Sequence, residues 1–194
     1  MKKVIFDSSA LISACKYSLG EKRICEHLME YVEIHIPTAV RDELLKPAEE
    51  FPENKFLRNL IAQNKIIVDT VDREMKIAKQ LASAELGAGE REAIILYYQN
   101  PEIEVVVVDD YFASFICSLR QVASELLLDL IINLVRDQHI SNDMAKTLTA
   151  KIARRYDKSH IELSYFILEV LKDDKHPWYS IIGTPLKMYE RNRL

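Results

Sequence analysis

Residues 105–110 read Val105-Val106-Val107-Val108-Asp109-Asp110, and this stretch decides the fold class. Four β-branched apolar residues in succession, with no alternation of polar side chains, predict a strand that is buried on both faces. Such strands are typical of parallel sheets that carry helices on both sides. The two aspartates end the strand and place negative charge at one edge of the predicted sheet.

Shorter segments of the same kind precede this strand and alternate with helical patterns. Val4-Ile5-Phe6 ends at Asp7, Ile34-His35-Ile36 is stopped by Pro37, and a third strand is predicted over Lys65 to Val71. Strands that alternate with helices predict βαβ units and an open parallel sheet. The predicted helices are Ala10–Lys16, Glu21–Val32, Ala39–Leu45 (with Thr38 as its N-cap and Pro47 after it), Phe56–Gln63, Arg73–Leu86, Glu90–Gln99 and Tyr111–Leu119.

The pattern becomes helical throughout after this region. Helices are predicted over Leu126–Arg136, Ser141–Tyr156 and Ser159–Lys172, followed by an irregular tail from Asp174 to Leu194. We therefore expect one domain over residues 1–125 and a C-terminal helical extension over 126–194 that packs on it. The apolar run from Leu126 to Val135 is suited to a core or to a dimer face.

Composition excludes several classes of protein. The 194 residues are 48% hydrophobic and 29% charged, with a formal net charge of −4, which is the balance of a globular chain and not of one held to nucleic acid by bulk positive charge. Three cysteines without CxxC spacing predict neither a disulfide framework nor a zinc site. The longest apolar run is too short to cross a bilayer, and Asp7 interrupts the apolar N-terminus. We expect a soluble, cytoplasmic protein.

Acidic residues at the strand ends are the candidate site. The carboxyl ends of parallel strands lie at one edge of the sheet, so Asp7 is expected close to Asp109 and Asp110. Mg²⁺ and Mn²⁺ prefer carboxylate oxygens, and a cation relieves the repulsion between crowded acids. The alternative for each aspartate is a helix N-cap. Glu43 and Glu90, taken singly, fit a solvent-facing position and a helix N-terminus.

Taken in order, four segments resemble the PIN-domain nucleases, and in particular prokaryotic stand-alone PIN proteins related to VapC-type toxins. The resemblance covers roughly residues 3–125 and implies a PIN-like open parallel sheet flanked by helices, with a C-terminal helical extension. The segments are Ile5-Phe6-Asp7-Ser8-Ser9-Ala10-Leu11-Ile12, the helix that carries Glu43, Gly89-Glu90-Arg91-Glu92-Ala93-Ile94, and Val107-Val108-Asp109-Asp110-Tyr111.

The resemblance implies roles for individual acids. Asp7, Glu43, Glu90 and Asp110 would be the catalytic, metal-binding acids for Mg²⁺ or Mn²⁺. Asp109 is the alternative to Asp110 as a metal ligand, because the two acids are adjacent, and Glu92 is the corresponding alternative to Glu90. Ser9 would orient the Asp7 carboxylate by a hydrogen bond. The chain departs from the family's pattern at Glu90, where Asp is usual, and at Val108 or Asp109, where Ser or Thr is common.

The implied activity is metal-dependent hydrolysis of RNA phosphodiester bonds, with single-stranded RNA as the expected substrate. Because acids repel phosphate, basic residues must hold the backbone, and the candidates are Lys16, Arg41 and Arg91. The resemblance also implies a toxin with an antitoxin partner, and a homodimer is compatible with it. The alternative is a PIN-like scaffold that binds RNA or protein without cutting.

Overall fold

The protein, described here by a computed structural model over residues 1–45 and 53–183, contains the expected parallel sheet. Five strands lie in the order β5-β4-β1-β6-β7, and each neighbouring pair is parallel. A separate antiparallel pair joins β2 to β3. The strands are β1 (Lys2–Phe6), β2 (Ser18–Leu19), β3 (Lys22–Arg23), β4 (Val32–Pro37), β5 (Ile66–Asp69), β6 (Ile103–Val107) and β7 (Ser124–Glu125).

Helices connect these strands and continue after β7. They are α1 (Ser8–Lys16), α2 (Ile24–Leu28), α3 (Thr38–Leu44), α4 (Glu53–Ala62), α5 (Lys76–Leu81), α6 (Ala88–Gln99), α7 (Tyr111–Leu119), α8 (Leu127–Arg136), α9 (Asn142–Ile152), a short 3₁₀ turn (Ala153–Arg155), α10 (Lys158–Lys172) and α11 (Tyr179–Ile182). The predicted α/β fold class, a PIN-like parallel sheet flanked by helices, is therefore confirmed.

The central strand of the sheet is β1, and β6 lies beside it. On one face, Ile5, Val106 and Val108 join α5, α6 and α7 in a single apolar cluster. Val4 and Phe6, which point to the other face of β1, are also fully buried. Burial of each such side chain contributes about 1.5–3 kcal/mol. Burial on both faces explains why these strands show no polar alternation.

Several predicted boundaries were wrong because local contacts override the periodicity. Lys22 and Arg23 form a strand, so the helix predicted over Glu21–Val32 covers only Ile24–Leu28. The helix predicted over Arg73–Leu86 is Lys76–Leu81, since Asp72 bends the chain before it by accepting a hydrogen bond from Glu74 N at 2.8 Å. The short strand β7 was not predicted.

Two further corrections concern the start of α3 and the tail. Thr38 is the first residue of α3 and Pro37 is its N-cap, because the Thr38 hydroxyl donates to Asp69 O on β5 instead. The tail contains the short helix α11, where none was predicted. Pro47 and residues 184–194 lie outside the described residues.

The chain divides into two compact units, Met1–Leu127 and a second that begins at Leu128. In the second unit α9 packs against α10. Most apolar side chains of α8 are buried, among them Leu127, Ile131 and Leu134, whereas Val135 is half-buried. Within the described residues, no helix combines the length and the apolar character needed to cross a bilayer.

Candidate active site

The carboxyl ends of β1 and β6 bring Asp7 and Asp109 together. Phe6 is paired with Val107, and Asp7 N donates to Val107 O at 3.0 Å, so the two strands run in parallel as far as their last residues. The chain after β6 then passes beside Asp7, whose carboxylate interacts with both the backbone N–H and the side chain of Asp109. Two of the predicted acids therefore meet at one edge of the sheet.

Asp7 is buried at this edge, with 2% of the residue exposed. It is the N-cap of α1, and its Oδ1 accepts a hydrogen bond from Ala10 N at 2.7 Å. Ser9 Oγ lies 3.1 and 2.9 Å from the two carboxylate oxygens and donates to the carboxylate, which fixes its orientation. Burial raises the pKa of Asp7 to about 7 despite these donors, and the nearby charge of Asp109 adds to the effect.

Glu43 bridges the helices that flank Asp7 and Glu90. Its Oε2 accepts a hydrogen bond from Ser8 Oγ at the start of α1, and its Oε1 accepts one from Gly89 N on α6 at 3.3 Å. A glycine is needed at position 89 because a Cβ there would lie 2.9 Å from Val40 Cγ2 and 3.2 Å from Glu43 Oε2. Glu43 is thus held between the neighbours of two other predicted acids.

Glu90 faces the same edge from the first turn of α6. Its Oε2 accepts a hydrogen bond from Gly87 N at 3.0 Å. Partial burial raises the pKa of Glu90, and the charges of Asp110 and Glu43 raise it further. Asp110 is the exposed N-cap of α7, where its Oδ1 accepts from Ala113 N at 2.8 Å. Asp110 and Glu43 therefore both repel the charged form of Glu90.

The Cys117 thiol on α7 lies within the electrostatic influence of both Asp7 and Glu90. Its thiol is fully buried, and burial raises its pKa to about 11. The charges of Asp7 and of Glu90 both contribute to this increase, so both carboxylates act on the same buried sulfur. The acids on β1 and α6 consequently share one electrostatic environment.

Glu92 points to a different place and acts as a structural residue. Only 5% of it is exposed, and its Oε2 accepts a hydrogen bond from Ala39 N at 2.8 Å in the first turn of α3. Its Oε1 accepts from the Arg73 guanidinium at 2.6 Å. Both carboxylate oxygens of Glu92 thus accept hydrogen bonds from the protein, and Glu92 as the alternative to Glu90 stays a prediction.

The three basic candidates are not gathered around the acids. Lys16 is at the last turn of α1, roughly 13 Å along the axis from Asp7 at the usual rise of a helix. Arg41 is engaged with the neighbouring Asp42, at 2.7 Å. Arg91 donates to Leu86 O and lines a cavity of about 490 Å³ beside α5, together with Arg73.

The donor set fits a hard divalent ion, since it consists of carboxylates that repel one another. Across residues 1–45 and 53–183, however, no three acidic, histidine or cysteine side chains are arranged to hold a metal ion. The reason is local: Asp7, Glu90 and Asp110 are each turned toward a backbone N–H, of Ala10, Gly87 and Ala113 respectively. Each of these hydrogen bonds engages one oxygen of its carboxylate.

Sequence reasoning missed three contributors to this edge: Ser8, Gly89 and Cys117. The Ser8-Ser9 doublet after Asp7 was a usable signal, because a hydroxyl at each position can reach a different acid. Gly89 directly before Glu90 was another, since an early glycine in a helix often marks a close approach. Nothing in the sequence singles out Cys117.

Comparison with known proteins gives the family. No curated protein matches the chain. A family model described as a PIN domain matches residues 3–163, which spans the sheet, α8, α9 and the beginning of α10. PIN domains are generally nucleases and typically use divalent metals. With the parallel sheet and the acids at its edge already described, the chain belongs to the PIN-domain family, a family of nuclease type.

Proposed function

We propose that this protein is a metal-dependent endoribonuclease that hydrolyses phosphodiester bonds of single-stranded RNA with Mg²⁺ or Mn²⁺. One observation carries the proposal: Asp7, Glu43, Glu90 and Asp110 come from four separate segments and converge at one sheet edge. Within the described parts of the chain, none of the four forms an ion pair with a Lys, Arg or His. Such an excess of negative charge favours the binding of a cation.

The proposed division of labour follows from the contacts. Asp7, Glu90 and Asp110, with Asp109 beside them, would hold the metal, which when bound lowers the pKa of water and offsets charge on phosphate oxygens. Ser9 keeps the Asp7 carboxylate oriented.

Glu43 is our candidate for the group that receives a proton from the attacking water, because Ser8 and Gly89 fix its carboxylate at the edge. Water attacks phosphorus while the bond from phosphorus to the 3′-oxygen breaks, and the leaving 3′-oxygen takes up a proton from solvent. The products are a 5′-phosphate and a 3′-hydroxyl.

The cellular location and the protein partners are further parts of the proposal. We propose a cytoplasmic protein that acts as the toxin of a toxin–antitoxin pair, with an antitoxin protein and a second copy of this chain as partners. Cys15, Cys25 and Cys117 are all present as buried thiols, which fits a reducing compartment. Co-purification from the native host, followed by mass spectrometry, tests the antitoxin.

The test of the activity is cleavage of a labelled single-stranded RNA with Mn²⁺, with and without EDTA. We expect EDTA to abolish cleavage and Asp7→Asn to lower it by roughly a thousandfold or more, because the variant loses a charge that the metal requires. Asp42→Asn is the matched control, since Asp42 is an exposed acid on α3 that pairs with Arg41. It should cleave like the unmodified protein.

The rival function is a PIN-like scaffold that binds RNA or protein without cutting. It would retain RNA binding in Asp7→Asn and show no Mn²⁺-dependent cleavage in any variant. Cleavage that is insensitive to both EDTA and Asp7→Asn would contradict the proposed site and would point to a contaminating nuclease.

A further inference from the structure

Helix α7 carries an apolar face that is about half exposed in the described parts of the chain, residues 1–45 and 53–183. Its sequence, YFASFICSL, contains no charged residue. Ala113 and Cys117 are buried against the core, whereas Tyr111 is 52% exposed, Phe112 47%, Phe115 57% and Leu119 63%. A helix on a protein surface usually carries charged residues on its outer face, so this face is suited to an occupant.

The aromatic end of this face lies at the acid edge. Asp110 is the N-cap of α7, and Tyr111 and Phe112 are the next two residues. Side chains in a helix lean toward its N-terminus, so these rings lean toward Asp110. Phe115 is one turn further, about 5 Å along the axis, and Leu119 is roughly another 6 Å away. The aromatic rings are therefore near the acids and the aliphatic side chain is distant from them.

The size of the face limits what can cover it. An aromatic side chain offers about 150–250 Å², so the exposed halves of these four side chains present about 400 Å² in total. A stable protein–protein interface needs about 800 Å² on each partner. The face is about half of what a second copy of this chain requires, and it is large enough for two or three nucleobases.

We propose that Tyr111, Phe112 and Phe115, the aromatic platform, stack unpaired bases of the RNA that flank the phosphate at the acid edge. The inference rests on the proposed function, which puts an RNA phosphate beside Asp110. A single strand held there must place its bases nearby, and every base has a face that stacks on an aromatic ring regardless of sequence. Bases in a duplex are already stacked, so the platform selects single strands.

The test is fluorescence anisotropy with a labelled eight-residue oligoadenylate, in the full-length Asp7→Asn background so that the RNA stays intact. We expect Phe112→Leu and Phe115→Leu each to raise the Kd by roughly tenfold. Leu119→Ala is the matched control on the same helix, because it removes an exposed apolar side chain without a π-face, and it should leave the Kd unchanged. Thermal unfolding of each variant verifies that the exposed substitutions leave the fold intact.

A second probe separates stacking from charge. An oligomer of the same length with abasic riboses keeps its phosphates, and its Kd should be the same for all these variants. Equal weakening by Leu119→Ala, an effect of Phe112→Leu on the abasic oligomer, no binding of oligoadenylate by the Asp7→Asn protein, or a dimer that Phe115→Leu dissociates in sedimentation would each overturn the platform. Binding in this background does not depend on cleavage, so failure of the proposed nuclease activity is measured separately.

Discussion

Two groups of acids in the first unit differ in what surrounds them. On β1, β4 and β5 and just before β6, acids lie beside nitrogen donors of side chains: Lys3 contacts both Glu33 and Glu102, and the His35 imidazole contacts Glu33 at 2.8 Å and Asp69 at 2.6 Å. Hydrogen bonds from His35 and Lys3 lower the pKa values of Glu33 and Glu102, respectively. The protein itself supplies the positive charge of Lys3 to Glu33 and Glu102.

At the carboxyl ends of β1 and β6 and on the helices beside them, Asp7, Glu43, Glu90 and Asp110 form no ion pair with a Lys, Arg or His of the described residues. The pKa values of Asp7 and Glu90 are raised, in both cases mainly by burial and then by neighbouring acids. Their hydrogen-bond donors are backbone N–H groups and the Ser9 hydroxyl. The comparison indicates that the contacts of Glu33, Asp69 and Glu102 stabilise the fold. The ionised carboxylates around Asp7 and Glu90 destabilise the protein without metal and are suited to an external cation. Perturbed pKa values of this kind are concentrated at functional sites.

The largest expected effect is on stability as a function of pH. Because the pKa of Asp7 is about 7 in the folded protein and near 3.8 when exposed, the folded state binds the extra proton. This contribution is fully present below about pH 4 and is lost as pH rises through 7, a change of roughly 4 kcal/mol at most. Denaturant unfolding in EDTA at pH 5 and pH 8 measures it. Asp7→Asn should remove this part of the pH dependence, and an equal dependence in both proteins would contradict the assignment.

The next effect separates the two glutamates of α6. Glu92→Ala should lower the free energy of unfolding by about 2 kcal/mol, since Ala39 N–H loses its acceptor and Arg73 its partner. Glu90→Gln should keep or slightly raise stability and weaken Mn²⁺ binding by roughly tenfold or more. Calorimetric titration measures Mn²⁺ affinity and urea unfolding measures stability for both variants. Equal changes in affinity and in stability for the two variants would contradict the assignment of Glu92 to the fold and of Glu90 to the metal site.

A smaller effect concerns the close approach that holds Glu43. In Gly89→Ala the new Cβ would lie 2.9 Å from Val40 Cγ2 and 3.2 Å from Glu43 Oε2, so α3 and α6 must separate slightly. We expect the free energy of unfolding to fall by about 1 kcal/mol in total, because the close contacts cost more than the gain of about 1 kcal/mol from replacing a helical glycine by alanine. RNA cleavage should fall as well. At the control position Gly87 the nearest atoms are 3.7 Å away, on the Glu90 side chain. Gly87→Ala should affect cleavage less than Gly89→Ala does.

The smallest effect tests the compensated group. Glu102→Gln removes an exposed partner of Lys3, and surface ion pairs contribute little. Mn²⁺ affinity and RNA cleavage should match those of the unmodified protein. A loss of metal binding comparable to that of Glu90→Gln would mean that both groups of acids belong to one site.

Much of the sheet was predictable because strand signals are local. The β-branched run that includes Val105–Val107, and the shorter apolar runs before it, form strands near the positions the sequence indicated, and each acid that follows them lies at the expected edge. The two-residue strand β7 and the short helix α2 were not predictable, since neither has enough residues to show a period. The position of Lys16, a full helix length from Asp7, shows that proximity in sequence does not bring a cation to the site.

The sequence by itself determined the α/β class and the side of the sheet on which the acids meet, because chain direction fixes which end of each parallel strand faces that edge. The tertiary structure alone decided which contacts each acid makes. Residues two apart on a helix point about 200° apart. Glu90 therefore lies within the electrostatic influence of Asp110, whereas Glu92 accepts a hydrogen bond from Ala39 N on α3. Likewise, only packing brought Ser8 and Gly89 to Glu43 and left the rings of α7 exposed, since such contacts join segments that are distant in the chain.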